Sequence, residues 1–573
     1  MMRCHPAARD GAWLRAALTS HKGLSLVLAI HIGLVLNFTA LQDRLAALLR
    51  DPVPTNLVAA IGEPLAAVLI TFIVLRLLSL GGSGFWKVSS SVLVLVCAAA
   101  AYYKNVFHVV IGYGIVASVF TTDVDLSRDV VGWQLVAWLL AMGALPSVPV
   151  WRSQAFRGLP RLLARPGQSA TSALVLAACV VAAWLPLNHV QRQHKQTEAA
   201  SNVDLPSYGG VFAHSYVPMN WVSALGLYAW TQFSEHAGED LLLNPVERHR
   251  FAAPAGIEDT YVVFIIGETT RWDHMGVMGY ARDTTPRLAR EPNLLAFRGE
   301  SCDTATRRSL RCMFVREGAA QSNEGRTPTE HNMFTALDSL GFSSELFSMQ
   351  SEIWFYKSGG FNDIAVREQI GSALRNRGKP VDDMLLVPEL RSSIDRHPGG
   401  KHLVVLHTKG SHYLYSQRHP RSFARFTPEC MSVDARCTRE QLVNSFDKSV
   451  SYTDFFLSQV FDQLRDRKAM VFFASDHGES IEDSMSFHAT PRSLAPPEQF
   501  RSAMAVWASD PFLADPGNRR RFDQLRLRQQ AGEPMPHVEL FETVLGCLGY
   551  TSADGGISNA NNWCHVQTLA YAA

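Results

Sequence analysis

A membrane-embedded helical half followed by an α/β half is the architecture this sequence predicts, and three observations predict it. Five long apolar runs fall within the first 187 of 573 residues. From Asp259 onward, short apolar runs alternate with amphipathic stretches, the signature of a parallel sheet covered by helices. Two of those runs, YVVFIIG and AMVFFAS, stop abruptly on Glu268 and on Asp476-His477. The bulk composition, 47% hydrophobic with a net charge of +1, averages two unlike halves and describes neither.

The apolar runs cover residues 24–41, 57–80, 88–103, 131–150 and 169–187, four of them near the roughly 20 residues that cross a bilayer. They predict a five-helix transmembrane bundle over residues 1–187. The third run is short, and NVFHVVIGYGIVASVF after it reads alternatively as a re-entrant or interfacial segment. No small-residue cleavage site follows the first run, so a removable signal peptide is not expected. Arg3, Arg9, Arg15 and Lys22 precede the first span, and Arg152, Arg157, Arg161 and Arg165 follow the fourth. By the positive-inside rule these ends are cytoplasmic, which places everything beyond residue 188 on the far side, the periplasm in a bacterium. His31, Glu63 and Arg76 lie in or near the spans, and a Glu63–Arg76 pairing across the bundle would account for both charges without any substrate.

Residues 188–257 read as a periplasmic connector, with Trp221, Leu225 and Tyr228 at helical spacing in an aromatic patch suited to the membrane surface. Residues 258–573 read as an α/β domain. Its six cysteines fall into three short-range pairs, Cys302 with Cys312, Cys430 with Cys437, and Cys547 with Cys564, whose spacing suggests disulfides in an oxidising compartment. No CxxC points to zinc held by cysteine. Residues 515–530, rich in Arg and Gln, read as a solvated helix.

Chemistry concentrates at strand ends. In open α/β sheets the crevice beyond the carboxyl ends of parallel strands binds ligands, so Glu268, Asp476, His477 and the end of LVVLHTKGSH, with His407 and His412, are expected to converge. Carboxylates with imidazoles make a divalent-metal site that favours zinc. SCDTATRRSLRCMF supplies a hydroxyl near a helix start, where backbone amides stabilise phosphate. Either Thr304 or Thr306 fits that position, and either also fits an ordinary helix cap.

GETTRWDHMGVMGYARDTTP, SCDTATRRSLRCMF, LHTKGSHYLYSQRHPRSF, YTD and SDHGES together resemble the lipid-A phosphoethanolamine transferases of the alkaline phosphatase and sulfatase-like superfamily. VDLPSYGGV, ASVFTTDVDLS, RNRGKPVDDMLLV and LGYTSADGGISNANNWCH are similar to the branch that modifies the Kdo sugar of the lipopolysaccharide inner core. The resemblance implies an alkaline phosphatase/sulfatase-like catalytic domain with one tight zinc site at Glu268, Thr306, Asp476 and His477, and a second zinc during turnover as the alternative. It implies Thr306 as nucleophile and His412 and His488 as catalytic, substrate-binding histidines, leaving His274 and His407 as structural supports. It further implies phosphatidylethanolamine as donor, Kdo-lipid A as acceptor, a phosphoethanolamine-threonine intermediate and diacylglycerol as the released product. A multi-pass inner-membrane enzyme with a periplasmic catalytic domain follows, with no nucleic acid or obligate protein partner. Its rivals are a sister transferase acting on the lipid A phosphate or another periplasmic glycan, a sulfatase-like phosphodiesterase, and a pseudoenzyme that binds lipid without turnover. Two departures from the family pattern stand out: Tyr413-Leu414 after the GSH, and His488-Ala489 after the DHG segment. LFSMQSEIWFYKSG lacks the family's Asn and Lys for the headgroup phosphate, and Gln350 and Ser351 there carry no assignment.

Overall fold

The computed structural model describes residues 20–50, 54–121, 130–156, 178, 215–236, 242–323, 325–352, 355, 381–423, 425–433, 437–481 and 487–566. They fall into two compact units, one drawn from Met1–Val116 and Gly132–Leu227, the other from Ala117–Val131 and Tyr228–Ala573.

The first unit is helical. His21–Val35 and Phe38–Ala46 form an apolar pair bent by 50°. Asn37 stands at the bend, and its amide donates to Ile32 O (3.0 Å) and Val217 O (2.9 Å) while its carbonyl accepts from Val217 N (2.9 Å). A break in the helical ladder is thus satisfied without water, which hydrocarbon surroundings require. The helices Pro54–Leu78 and Gly82–Phe107 pack on one another across the turn Ser79–Gly81, where Gly82 takes φ 88°. Ala60–Phe107 and Trp133–Trp151 are long and apolar enough to cross a membrane, and the bent pair makes a third candidate. At about 1.5 Å per residue the 48 residues of Ala60–Phe107 would exceed twice a hydrocarbon core if straight, so the turn at Gly82 divides them. The expected fifth run, 169–187, lies outside the described residues apart from residue 178, as does the connector over 188–214. Glu63 pairs with Arg44 (3.1 Å), not with Arg76, and accepts a hydrogen bond from Tyr216 Oη (2.6 Å). Glu63 and Arg76 lie on the same helix, Pro54–Leu78, about 20 Å apart at roughly 1.5 Å per residue, so the cation that reaches Glu63 comes from the neighbouring helix Phe38–Leu49.

The second unit is built on strands β1 (Phe251–Ala252), β2 (Tyr261–Gly267), β3 (Leu294–Glu300), β4 (Ser343–Ser348), β5 (His402–His407), β6 (Ala469–Ser475), β7 (Arg501–Ala508), β8 (Met535–Pro536) and β9 (Thr551–Ser552). Seven form one sheet in the order β4-β5-β2-β6-β7-β3-β8, while β1 and β9 pair separately. The sheet is mixed rather than wholly parallel, since β7 runs antiparallel to both β6 and β3. That single reversal restores the common direction at β3, so β4, β5, β2, β6 and β3 all end at the same sheet edge. Every residue of β2, β5 and β6 is buried, as strands covered on both faces must be. Phe264 of β2 stacks on Phe472 of β6 (6.2 Å) and meets Phe314 edge-on (5.1 Å), tying the sheet to the layer above it.

The 26-residue helix Arg439–Leu464 starts on a capping box between Thr438 and Gln441. Two of its buried carboxylates hold the loop after β2. Asp447 pairs with His274 (2.7 Å) and Arg282 (2.7 Å), and Asp454 accepts from the amides of Arg287 (3.1 Å) and Leu288 (2.8 Å). His274 is therefore a hydrogen-bonded support. All three expected disulfides form, Cys302–Cys312, Cys430–Cys437 and Cys547–Cys564.

Candidate active site

The register of the sheet aligns the chemistry. Ser348, His407 and Ile266 lie side by side across β4, β5 and β2, and Gly267 lies opposite Ser475 of β6. The next residues along each strand are then neighbours: Gln350 after β4, His412 after β5, Glu268 after β2, and Asp476 and His477 after β6. Gly410 lets the turn after β5 close on Glu268. It takes φ 46°, and a Cβ there would stand 2.6 Å from Glu268 O.

His477 Nε2 is the common point of the cluster. It lies 3.3 Å from Asp476 Oδ2, 3.6 Å from Glu268 Oε1 and 3.3 Å from Thr306 Oγ1. Its Nδ1 is 2.9 Å from Gly478 O, and a carbonyl only accepts, so Nδ1 carries the proton and Nε2 presents its lone pair to the cluster. Glu268, Asp476 and His477 are fully buried. Burial first, then the neighbouring Asp476 and Glu479, push the Glu268 carboxyl well above its ordinary range. Burial likewise lifts Asp476 to about 7 and pushes the His477 imidazole well down, with His488 adding to the latter. Glu268 Oε1 and Asp476 Oδ2 are buried without a hydrogen-bond donor. Carboxylates crowded together with an imidazole lone pair and orphaned oxygens form a donor set that a divalent cation would satisfy.

The two threonines separate cleanly. Thr304 is buried, and its hydroxyl donates to Thr490 O (2.6 Å) and accepts from Arg308 (3.1 Å). Thr306, the first residue of the helix Thr306–Cys312, is half-buried, and its hydroxyl donates toward Glu268 Oε2 (3.2 Å). It is not a cap: the cap position is Ala305, which has no side-chain bond to give. The loop beneath is pinned by Ser301, whose hydroxyl reaches Asp476 O (2.7 Å), and by Asp303, which pairs with Arg308 (2.8 Å) and Arg326 (3.0 Å). The Cys302–Cys312 disulfide closes the same loop over the helix.

Two further histidines stand over the cluster. The ring of His488 lies 4.5 Å from that of His477 and 5.4 Å from that of His412. Burial works against protonation of His488, but the carboxylate of Glu479, 3.1 Å from Nδ1, outweighs it and raises the imidazole above its usual value. His412 is pushed the other way, well down, by burial and then by His488 and Arg418. Its Nδ1 lies 2.6 Å from Tyr413 O, which leaves Nε2 as an acceptor. Glu268, His477 and His488 also place one ligand atom each within 4.8 Å of one another.

Sequence reasoning missed one residue here and left another without a role. Glu479 sits inside the quoted SDHGES, and the three-residue step from Asp476 was the available signal. Gln350, whose amide donates to Glu268 Oε2 (3.0 Å), stands two positions beyond the end of β4 and obeys the same strand-end rule that found the others.

A mostly parallel sheet that gathers carboxylates, imidazoles and a helix-borne hydroxyl at one edge is the arrangement of the sulfatase class, and the sulfatase family profile matches residues 260–550. A second profile, the phosphoethanolamine transferase EptA/EptB family, matches residues 67–209. The chain is 53% identical to the Kdo(2)-lipid A phosphoethanolamine 7''-transferase of Escherichia coli K12, over 97% of this chain and 99% of that protein. It is 52% identical to the Salmonella typhimurium enzyme of the same name, over 96% and 98%. Its fold matches the integral membrane lipooligosaccharide phosphoethanolamine transferase A of Neisseria meningitidis with a TM-score of 0.76 and 23% identity, covering 94% of this chain and 97% of that one. The chain belongs to the phosphoethanolamine transferase family, as a membrane protein carrying a sulfatase-like catalytic domain.

Proposed function

We propose that this enzyme moves phosphoethanolamine from phosphatidylethanolamine to the outer Kdo sugar of Kdo-lipid A in two stages through Thr306, releasing diacylglycerol. The observation that carries the reading is the 53% identity, over 97% of the chain, to a Kdo(2)-lipid A phosphoethanolamine 7''-transferase. Glu268, Thr306, Asp476 and His477 would hold one zinc ion tightly, with a second joining during turnover. When bound, zinc supplies positive charge that lowers the pKa of the threonine hydroxyl and steadies charge on the phosphoryl oxygens.

The chain's own groups do the rest. Thr306 Oγ1 attacks phosphorus as its proton passes toward Glu268 Oε2, a P–O bond to threonine forms, and the P–O bond to glycerol breaks. The leaving alkoxide takes a proton from the His488 imidazolium, which Glu479 keeps charged. In the second stage the acceptor hydroxyl attacks phosphorus, neutral His412 takes its proton at Nε2, and Thr306 regains the proton held at Glu268 as the P–Oγ1 bond breaks. The proton on His412 then passes to His488, whose ring lies 5.4 Å away, restoring the starting charges. The exposure pattern agrees with this division: the three proposed ligands besides Thr306 are sealed, whereas Thr306, His412 and His488 are half-buried and reachable.

Both substrates are amphiphiles in the outer leaflet of the inner membrane, which gives the helical unit its purpose. We assign it five spans over residues 1–187 with a cytoplasmic N-terminus, a connector over 188–257 and a periplasmic catalytic domain over 258–573. The apolar runs, the basic loops and the three disulfides of the exported half support that arrangement. Mass spectrometry of lipopolysaccharide from cells expressing the wild type or Thr306→Ala tests the reading. Phosphoethanolamine on Kdo that depends on Thr306 is expected; addition to the lipid A phosphate would move the acceptor, and full activity of the variant would remove Thr306 as nucleophile.

A further inference from the structure

At the opposite end of the sheet from the active site, the first turns of β4 and β5 meet the end of the helix Leu386–Arg396. Along β5 the five steps from His407 back to His402 put this place about 17 Å below the catalytic edge. Glu345 of β4, His402 of β5 and His397 after the helix gather there. Glu345 Oε2 lies 3.8 Å from His397 Nε2 and 3.9 Å from His402 Nε2, and all three ligand atoms fall within 4.8 Å of one another. Nitrogen and oxygen ligands at zinc's usual bond lengths stand about 3.4 Å apart, so only a modest contraction separates this triad from a coordination shell.

The contacts around His402 fix its ring and mark the place an ion would take. Nδ1 faces Ser343 on both its hydroxyl (2.8 Å) and its carbonyl (3.0 Å), which holds the ring with Nε2 turned toward Glu345. Ser393 Oγ is 2.7 Å from His402 Nε2 and also bonds Glu345 Oε2, so a single small polar group already bridges the nitrogen and the oxygen where a cation would sit.

We propose that Glu345, His397 and His402 form a second, peripheral site for a borderline divalent metal such as zinc, separate from the catalytic cluster. His402 is the buried, pre-oriented ligand, with Ser343 holding its ring from behind as backbone carbonyls hold metal-binding histidines elsewhere. His397, with 31% of its side chain exposed, is the ligand that moves. Its ring stacks on His402 at 4.0 Å and tilts out of that stack to aim Nε2 at the ion. Arg396, about half exposed, pairs with both oxygens of Glu345 (3.0 and 2.9 Å) and competes with the metal from the solvent side.

The test uses the full-length protein in detergent with its catalytic site already loaded, titrated with zinc alone and read by calorimetry and metal counting. The wild type takes up one further zinc per chain. His397→Ala and Glu345→Gln lose that uptake while keeping transferase activity, and Arg396→Gln, relieved of the competing cation, binds the extra zinc about 10-fold more tightly. Wild-type protein that takes up no zinc beyond the catalytic complement, or variants that take up as much as the wild type with the same affinity, overturn the proposal.

Discussion

Thr304 and Thr306 carry the same side chain two positions apart, and the difference between them is what their hydroxyls already hold. Thr304 is committed to Thr490 and Arg308, whereas Thr306 faces Glu268 and His477 from a half-buried position. The sequence left the two open, because a strand-to-helix loop can turn either residue inward, and only the family resemblance favoured the second. The positions of Glu268, Asp476 and His477, in contrast, were legible, since an apolar run that ends on a charge fixes both burial and location. Glu479 was not, because its part is to charge another side chain that reaches it only in the fold. Replacing it shows the dependence. In Glu479→Gln the raised pKa of His488 loses its main support, so the alkaline limb of the kcat profile is expected to move to lower pH, with KM for the donor little changed. An unmoved limb would mean that His488 is not the acid. The buried carboxylates give a second test. Asp476 rises from 3.8 to about 7 on folding. A carboxyl raised in the fold contributes stability that is fully present below its unfolded pKa and is lost as pH climbs through its folded one. Metal-stripped protein is therefore expected to melt at falling temperature as pH rises from about 4 to about 7, the loss being reversed by zinc and weakened in Asp476→Asn. Thermal melts in chelator across that window check it, and a flat profile for the stripped wild type counts against the cluster as a cation site.

At the scale of elements, the sheet does the positioning, and its alternating pattern is why most of it could be read in advance. Strands buried on both faces appear as continuous apolar runs, and β2, β5 and β6 are three of these. The reversed β7 was not read, because its buried run RSAMAVWA has the same composition whichever way it points, and direction is decided by the long return from β6 rather than by the strand itself. The pairing of Glu63 with Arg44 escaped for a related reason: which faces of two helices meet is a tertiary fact. The turn after β5 is the tightest element at the site. Gly410 combines φ 46° with a backbone approach to Glu268 that leaves no room for a methyl group, while Asp383 holds its amide and that of Lys409 at 3.0 and 2.7 Å. Gly410→Ala is expected to cost about 1–3 kcal/mol and to displace Glu268, so that the melting temperature falls and transfer drops together with metal affinity. A variant that loses activity with unchanged zinc binding would show that the turn serves something other than the ligand's position.

At the scale of the whole molecule, the question is why a catalytic unit with its own core needs a helical membrane unit attached. The sheet, its two helical layers and three disulfides are internal to the second unit, and its buried core runs from Ile257 to Cys564. A catalytic segment so equipped is expected to fold alone and to keep the chemistry proposed for residues 268–488. What it would lose is effective concentration, because a site held at the membrane meets headgroups confined to the same surface, whereas a free domain must find them from solution. The segment 242–573 is therefore expected to transfer from a short-chain, water-soluble phosphatidylethanolamine at a rate close to that of the full chain in detergent. Against donor and acceptor embedded in vesicles it should fall behind by about 100-fold or more. Equal rates on vesicles would show that the helices contribute no positioning. A segment inactive on the soluble donor, yet folded by circular dichroism and still binding zinc, would instead mean that the first unit completes the substrate site itself.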